Sequence, residues 1–281
     1  MSIQSRCIQA LLAALMVAAA GPSYAVQFPD TSDVGAPARG PSLGTRGELC
    51  LDPEDRPSLT SLLPHNAIAT AFGADPDIPL SLWFYIPETS ITRAELTVID
   101  ELGNEIHQQL IELPATAGTI QAVLPKYQAD GVTPLFTAGS LYYWDFALIC
   151  DPADRDDDVV LAGGIQRLDA NPDFLAQLEA TAEDPIAQAG LYADAGAWQE
   201  TITLVAAMRS QRPDTWSELL TSVGLASIAE EPIVRQATPV TTPAPSQAVP
   251  NGNTVPAVPH DNTVPDSAGQ TTLQRLLEGI N

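Results

Sequence analysis

The chain has 281 residues, with 35 Asp and Glu against 12 Lys and Arg, a formal charge of −23 and a pI near 4.1. Phosphate backbones are bound by Lys and Arg that displace counterions, so this balance argues against nucleic acid as a partner and disfavours anionic lipid surfaces. Cations, basic proteins and neutral glycans stay compatible with it.

Residues 1–25 carry one charge, Arg6, then a small and apolar run from Ala10 to Ala20 and a Ser23-Tyr24-Ala25 step. That order predicts a secretory signal peptide cleaved after Ala25. The run is shorter than the roughly 20 residues a bilayer core requires. Cys7 precedes it and so is no lipoprotein cysteine, and no other segment is apolar enough to span a membrane. The protein is therefore expected to be exported, to the periplasm or the cell surface. Residues 26–43, rich in Gly, Pro, Ser and Asp, predict an extended leader.

With Cys7 in the signal peptide, Cys50 and Cys150 are left. In an oxidising compartment they read most simply as a disulfide, with free thiols or a metal pair as alternatives. His65, His107 and His260 do not stand at zinc-site spacing. Closing a loop of about 100 residues stabilises by up to roughly 4 to 5 kcal/mol in the chain-entropy treatment.

Residues 44–168 predict a β-sandwich domain. Leu80, Leu82, Phe84 and Ile86 alternate with Ser81, Trp83 and Tyr85, and Ala94, Leu96 and Val98 alternate with Arg93, Glu95 and Thr97. Leu102-Gly103-Asn104 predicts a hairpin turn. Glu105 to Leu113 alternates less cleanly, as an edge strand or bulge does. Ile120, Ala122 and Leu124 follow, then an aromatic strand with Tyr142, Trp144, Phe146, Leu148 and Cys150 on one face. Val159 to Leu168, broken by Gly163-Gly164, closes the set. Six short strands at hairpin spacing favour an antiparallel β-sandwich of immunoglobulin-like type.

Residues 169–229 predict a helical subdomain. Asn171-Pro172 and Asp184-Pro185 each place a capping side chain before a first-turn proline. Two further helices follow, one from Trp198 and one from Pro213 to Gly224. The spacing of Ala189, Tyr192, Gly196 and Pro213 is tetratricopeptide-like, and a lone repeat must pack on the sandwich or on a partner. Residues 230–281 predict a Pro/Thr-rich disordered tail. The fold class expected is thus α+β.

Gly40-Pro41-Ser42-Leu43-Gly44 matches the G-x-S-x-G string of serine hydrolases, but no strand precedes it and no helix follows, so a chance match explains it. The acidic residues make a stronger candidate. A Cys50–Cys150 bond carries Asp52, Glu54 and Asp55 towards Asp151, Asp154, Asp156, Asp157 and Asp158, and converging carboxylates suit calcium. The spacing is not that of an EF-hand, and acidic loops are usually solvated. Paired carboxylates could also cleave glycosides, though nothing in the sequence marks a cleft. Trp83 and Tyr85, opposite the aliphatic face of their strand, form a candidate sugar platform, with burial as the competing explanation.

Gly44-Thr45-Arg46-Gly47 before Cys50, Leu82-Trp83-Phe84-Tyr85-Ile86-Pro87, Tyr143-Trp144-Asp145-Phe146 leading to Cys150-Asp151-Pro152, Gly164-Ile165-Gln166-Arg167, and Leu191-Tyr192 with Gly196-Ala197-Trp198 stand in order along the chain. Together they resemble the cyanobacterial domain of unknown function 928 family over about residues 35–226. The resemblance implies an exported protein with a β-rich half and a short helical half, and it carries over no catalytic residue. The function expected is a non-enzymatic interaction module that binds a periplasmic or cell-surface protein. A carbohydrate-binding module, calcium-assisted, is the alternative. No cofactor other than calcium is indicated.

Overall fold

The structure, a computed structural model, describes residues 26–30, 50–51, 57–64, 68–73, 80–237 and 239–240, the side chains of 235–240 excepted. The expected signal peptide, Ser42, His65, His260, Asp52, Glu54, Asp55 and the chain beyond 240 lie outside the described residues. In chain order the strands are Thr60–Ser61 (β1), Ile68–Ala71 (β2), Ser81–Ile86 (β3), Arg93–Ile99 (β4), Glu105–Glu112 (β5), Gly118–Val123 (β6), Leu141–Leu148 (β7) and Val159–Arg167 (β8). Four helices follow: Pro172–Ala180 (α1), Pro185–Asp194 (α2), Trp198–Ala207 (α3) and Pro213–Ser222 (α4). Ile233–Ala237 (β9) and Pro239–Val240 (β10) come last.

Two sheets form. The larger has the order β10-β5-β4-β7-β8-β2 and the smaller β1-β3-β6-β9. Alternation sets the inner face of the larger sheet: Ala94, Leu96 and Val98 of β4 and Tyr142, Trp144, Phe146 and Leu148 of β7 are buried, while the residues between them are half-buried or exposed. Phe84 of β3 stacks on Phe146 with ring centroids 4.0 Å apart and meets Trp144 edge-on at 5.4 Å, so the two sheets share one apolar layer.

All six residues of β3 are buried, because its second face lies under helices. The Trp83 ring sits 6.4 Å from that of Trp216 in α4, and its Nε1 donates to Thr203 Oγ1 of α3 at 3.4 Å. Helices of nine or ten residues are marginal on their own, so their stability comes from this packing. Asn171 caps α1 by accepting from Phe174 N at 2.9 Å, and Asp184 caps α2 by accepting from Ile186 N and Ala187 N. Residues of the strands and of α2, α3 and α4 belong to one buried cluster, and the described residues fall in one compact unit extending to Thr242.

Several expectations are corrected. The sheets are mixed: β2 pairs parallel with β8, and β9 parallel with β6. Periodicity reports which face a residue takes but not strand direction, which explains the difference. β8 runs unbroken through Gly163-Gly164. The first described residues of the expected leader pack on the core: Val26 is 1% exposed and Phe28 lies edge-on against Trp198 at 5.1 Å. The residues assigned to a tail from 230 begin with two strands, one in each sheet. β9 can reach β6 because residue 118 is glycine: a Cβ there would lie 2.6 Å from the Pro232 carbonyl and 2.7 Å from Val234 Cγ2.

Candidate functional site

Cys50 and Cys150 are bonded, with α-carbons 5.7 Å apart. On the Cys150 side the acidic residues serve their own loop. Asp151 Oδ1 accepts from Ala153 N, and Asp154 Oδ1 accepts from Asp156 N at the start of a 3-10 turn, Arg155–Asp157. Asp158 accepts from Cys150 N at 3.1 Å and from Arg155 Nε at 2.5 Å, while Arg155 also reaches Glu95 at 3.1 Å. The loop is thus shaped by carboxylates that hold neighbouring amides and one guanidinium. Among the described residues these side chains do not converge as a cation shell. Asp52, Glu54 and Asp55 of the opposing loop lie outside the described residues.

Trp83 and Tyr85 are 4% and 3% exposed. A stacking platform needs an open ring face, so they cannot serve as one in the folded unit; helix packing on β3 is the reason. His107 sits on β5 with its Nε2 3.1 Å from Gln109 Oε1.

At the end of β2, Arg167, the last residue of the Gly164-Ile165-Gln166-Arg167 step, and the buried Glu200 meet the same turn from two sides. Arg167 donates from Nε to the Phe72 carbonyl at 3.1 Å, from Nη2 to that of Gly73 at 3.3 Å and from Nη1 to that of Phe136 at 3.2 Å. The Gly73 amide points the other way and donates to Glu200 Oε1 at 2.6 Å. Gly73 has φ +56°, and a Cβ there would come within 3.3 Å of Arg167 Cζ, so the turn suits glycine. Burial pushes the Glu200 carboxyl above its ordinary range, against the opposing pull of the Gly73, Glu200 and Phe72 amides and of Arg167. Among the described residues its Oε2 has no hydrogen-bond partner, nor does either side-chain amide atom of the adjacent Gln199. These groups brace the junction between α3 and β2.

An open groove of about 860 Å³ lies between the leading segment and the helices. One wall is Gln27 to Asp30, anchored where Phe28 N donates to Ser222 Oγ at 3.1 Å. The other is α4, with Ser217, Glu218 and Thr221, and its end is marked by Asp194. Its charged lining residues are all acidic: Asp30, Asp194 and Glu218. Asp194 closes α2, where the exposed carbonyls of a helix already carry partial negative charge, so a carboxylate there is unfavourably placed until a cation approaches. Sequence reasoning missed this groove because its walls are separated by nearly the whole described chain.

No helix among the described residues is long and apolar enough to cross a membrane. A family model described as Domain of Unknown Function (DUF928) matches residues 41–233. Among solved structures, the fn3 domain of the human collagen alpha-1(XX) chain is similar over 41% of this chain and 81% of that domain, at 9% identity and a TM-score of 0.23. No curated protein matches.

Proposed function

The chain belongs to the DUF928 family, and we propose that it is an exported, non-enzymatic interaction module that binds a basic protein partner in the periplasm or at the cell surface. The observation that carries this reading is the acidic groove between the leading segment and α4. Asp194 and Glu218 stand on helices held to the sheets by buried tryptophans, which fixes that wall of the groove. Charge complementarity of this kind speeds encounter and selects partners more than it adds raw affinity.

The disulfide and the lack of a membrane-crossing helix among the described residues are compatible with export. The two face-to-face sheets fit the proposed immunoglobulin-like sandwich, and the α2–α3 hairpin fits a tetratricopeptide-like unit that uses the sandwich in place of neighbouring repeats. Burial of Trp83 and Tyr85 takes from the carbohydrate-binding reading its aromatic platform, and leaves it only the acidic loops beside the disulfide.

The test places a photocrosslinking residue at the exposed position Thr221 and irradiates the full chain in its native compartment. A discrete adduct is expected that disappears in the Asp194→Asn, Glu218→Gln double variant and at high ionic strength, while a crosslinker at exposed Leu175 gives none. Absence of an adduct at Thr221, or one indifferent to both changes, overturns the reading.

A further inference from the structure

Gln27 to Asp30 form one wall of the groove, and the segment they belong to starts at Val26, the residue that follows the expected scission point at Ala25. No spacer separates that point from the folded unit. Val26 and Phe28 are buried while Gln27, Pro29 and Asp30 are exposed, the alternation of an extended segment with one face inward. The inward pair belongs to the cluster that contains Trp198, Leu219 and Leu220. The Phe28 ring meets Trp198 at 5.1 Å, and its amide donates to Ser222 Oγ, which in turn donates to the Leu219 carbonyl at 2.7 Å. Residues 26–30 are thus a strap laid on α3 and α4.

A strap that starts at a scission point cannot be seated while the bond is cut. A peptidase closes over both sides of its bond and so needs exposed chain, whereas seated Val26 is 1% exposed. Reach keeps the uncut chain from seating afterwards. Only Gly21 to Ala25 separate the apolar run ending at Ala20 from Val26, and at ~3.6 Å per residue that tether spans roughly 20 Å at most. The headgroup layer takes up about 5–8 Å of it. Seating the strap in the precursor therefore presses the groove, whose charged lining residues are all acidic, and a chain of charge −23 against a membrane surface, which is unfavourable wherever that surface is anionic.

We propose that removal of residues 1–25 is the switch that builds the groove. Hydrolysis of the Ala25–Val26 amide by a signal peptidase takes up one water, leaves a carboxylate on Ala25 and an ammonium on Val26, and frees the strap to seat against Trp198 and Ser222. The precursor carries α4 and its acidic residue Glu218 without the facing wall, so the site for a basic partner is completed only after export. The switch rests on the export and groove reading above and adds its regulation.

The test places a photocrosslinking residue at Gln27, which is exposed on the groove side of the strap. In the processed protein an intramolecular link from position 27 to the Ser217–Ser222 stretch of α4 is expected. In the full-length precursor with scission blocked by Ala25→Phe, the link should fall at least tenfold. About twenty Gly and Ser residues inserted between positions 25 and 26 of that precursor add a flexible span of roughly 25 Å and should restore it. Phe28→Ala in the processed chain should lose the link while amides of the β4–β5 pair keep their exchange protection. Mass analysis of the native amino terminus separates the failures. A native chain that retains residues 1–25 overturns the export reading and the switch with it. A chain that starts within residues 27–30, equal linking in the blocked precursor, no link in the processed protein, or no recovery with the longer tether overturns the switch alone.

Discussion

The indole Nε1 of Trp198 donates to the carbonyl of Leu62 at 2.8 Å across 136 positions of the chain, and both residues are fully buried. Trp198 opens α3, its backbone amide is accepted by Thr70 Oγ1 at 3.1 Å, and Phe28 packs against its ring. One side chain therefore joins the leading segment, the start of the small sheet, β2 and the helices. Trp198→Ala should cost about 3–5 kcal/mol through the cavity it leaves. Trp198→Phe should cost about 1–3 kcal/mol, because the Leu62 carbonyl is left buried without a donor. Urea unfolding followed by far-UV and tryptophan signals should show one transition; separate transitions for helix and sheet would refute the shared core.

The Cys50–Cys150 bond closes the chain across a separation of 100 residues. Its removal by Cys50→Ser with Cys150→Ser is expected to lower stability by about 2–5 kcal/mol, with the native fold retained at low temperature. Calorimetry of the double variant measures the loss. A nonreducing peptide map that shows two free thiols in the native protein would contradict the bond itself.

Gly118 is the point where β9 reaches the small sheet. Its added methyl in Gly118→Ala would meet the Pro232 carbonyl and Val234, and neither can yield without moving β9. A cost of about 1–3 kcal/mol follows from such overpacking. Thr119 N, which donates to Pro232 O at 2.7 Å, should exchange its proton faster in the variant, while amides in the β4–β5 pair keep their protection. Unchanged exchange at Thr119 would mean that β9 contributes nothing to holding β6.

What the sequence discloses follows from which surfaces are wet. β4 and β7 are legible because only one face of each is fully buried, so polar and apolar residues alternate. β3 misleads for the opposite reason: both faces are buried, and Trp83 and Tyr85 on the helix side look like an exposed aromatic row only while the helices above them are unknown. β9 is hidden by composition, since its Ile233-Val234 step precedes a long Pro/Thr stretch that dominates any window. Helix starts at Pro172 and Pro185 are local chemistry and are read directly from their caps. The groove and the Arg167–Gly73–Glu200 arrangement depend on partners more than 90 residues apart, and no local pattern encodes such a pairing.

That last arrangement gives the protein a predictable response to pH. Burial penalises the charged form of Glu200 more than the Gly73, Glu200 and Phe72 amides and Arg167 favour it, so its folded pKa lies above the ordinary 4.5. Between the two values the folded state holds a proton that the unfolded chain has lost, and stability therefore declines as pH rises. The contribution is fully present below pH 4.5 and is lost as pH climbs through the raised folded value. Asp145, also raised by burial, acts in the same direction from its ordinary 3.8. Glu200→Gln keeps an acceptor for the Gly73 amide but cannot ionise, so it removes one of these two contributions. The melting temperature of the wild type should fall from pH 4.5 to about pH 8, and the fall should be smaller in the Gln variant. Parallel curves would show that Glu200 is charged in the folded state throughout, with Arg167 as its effective counterion.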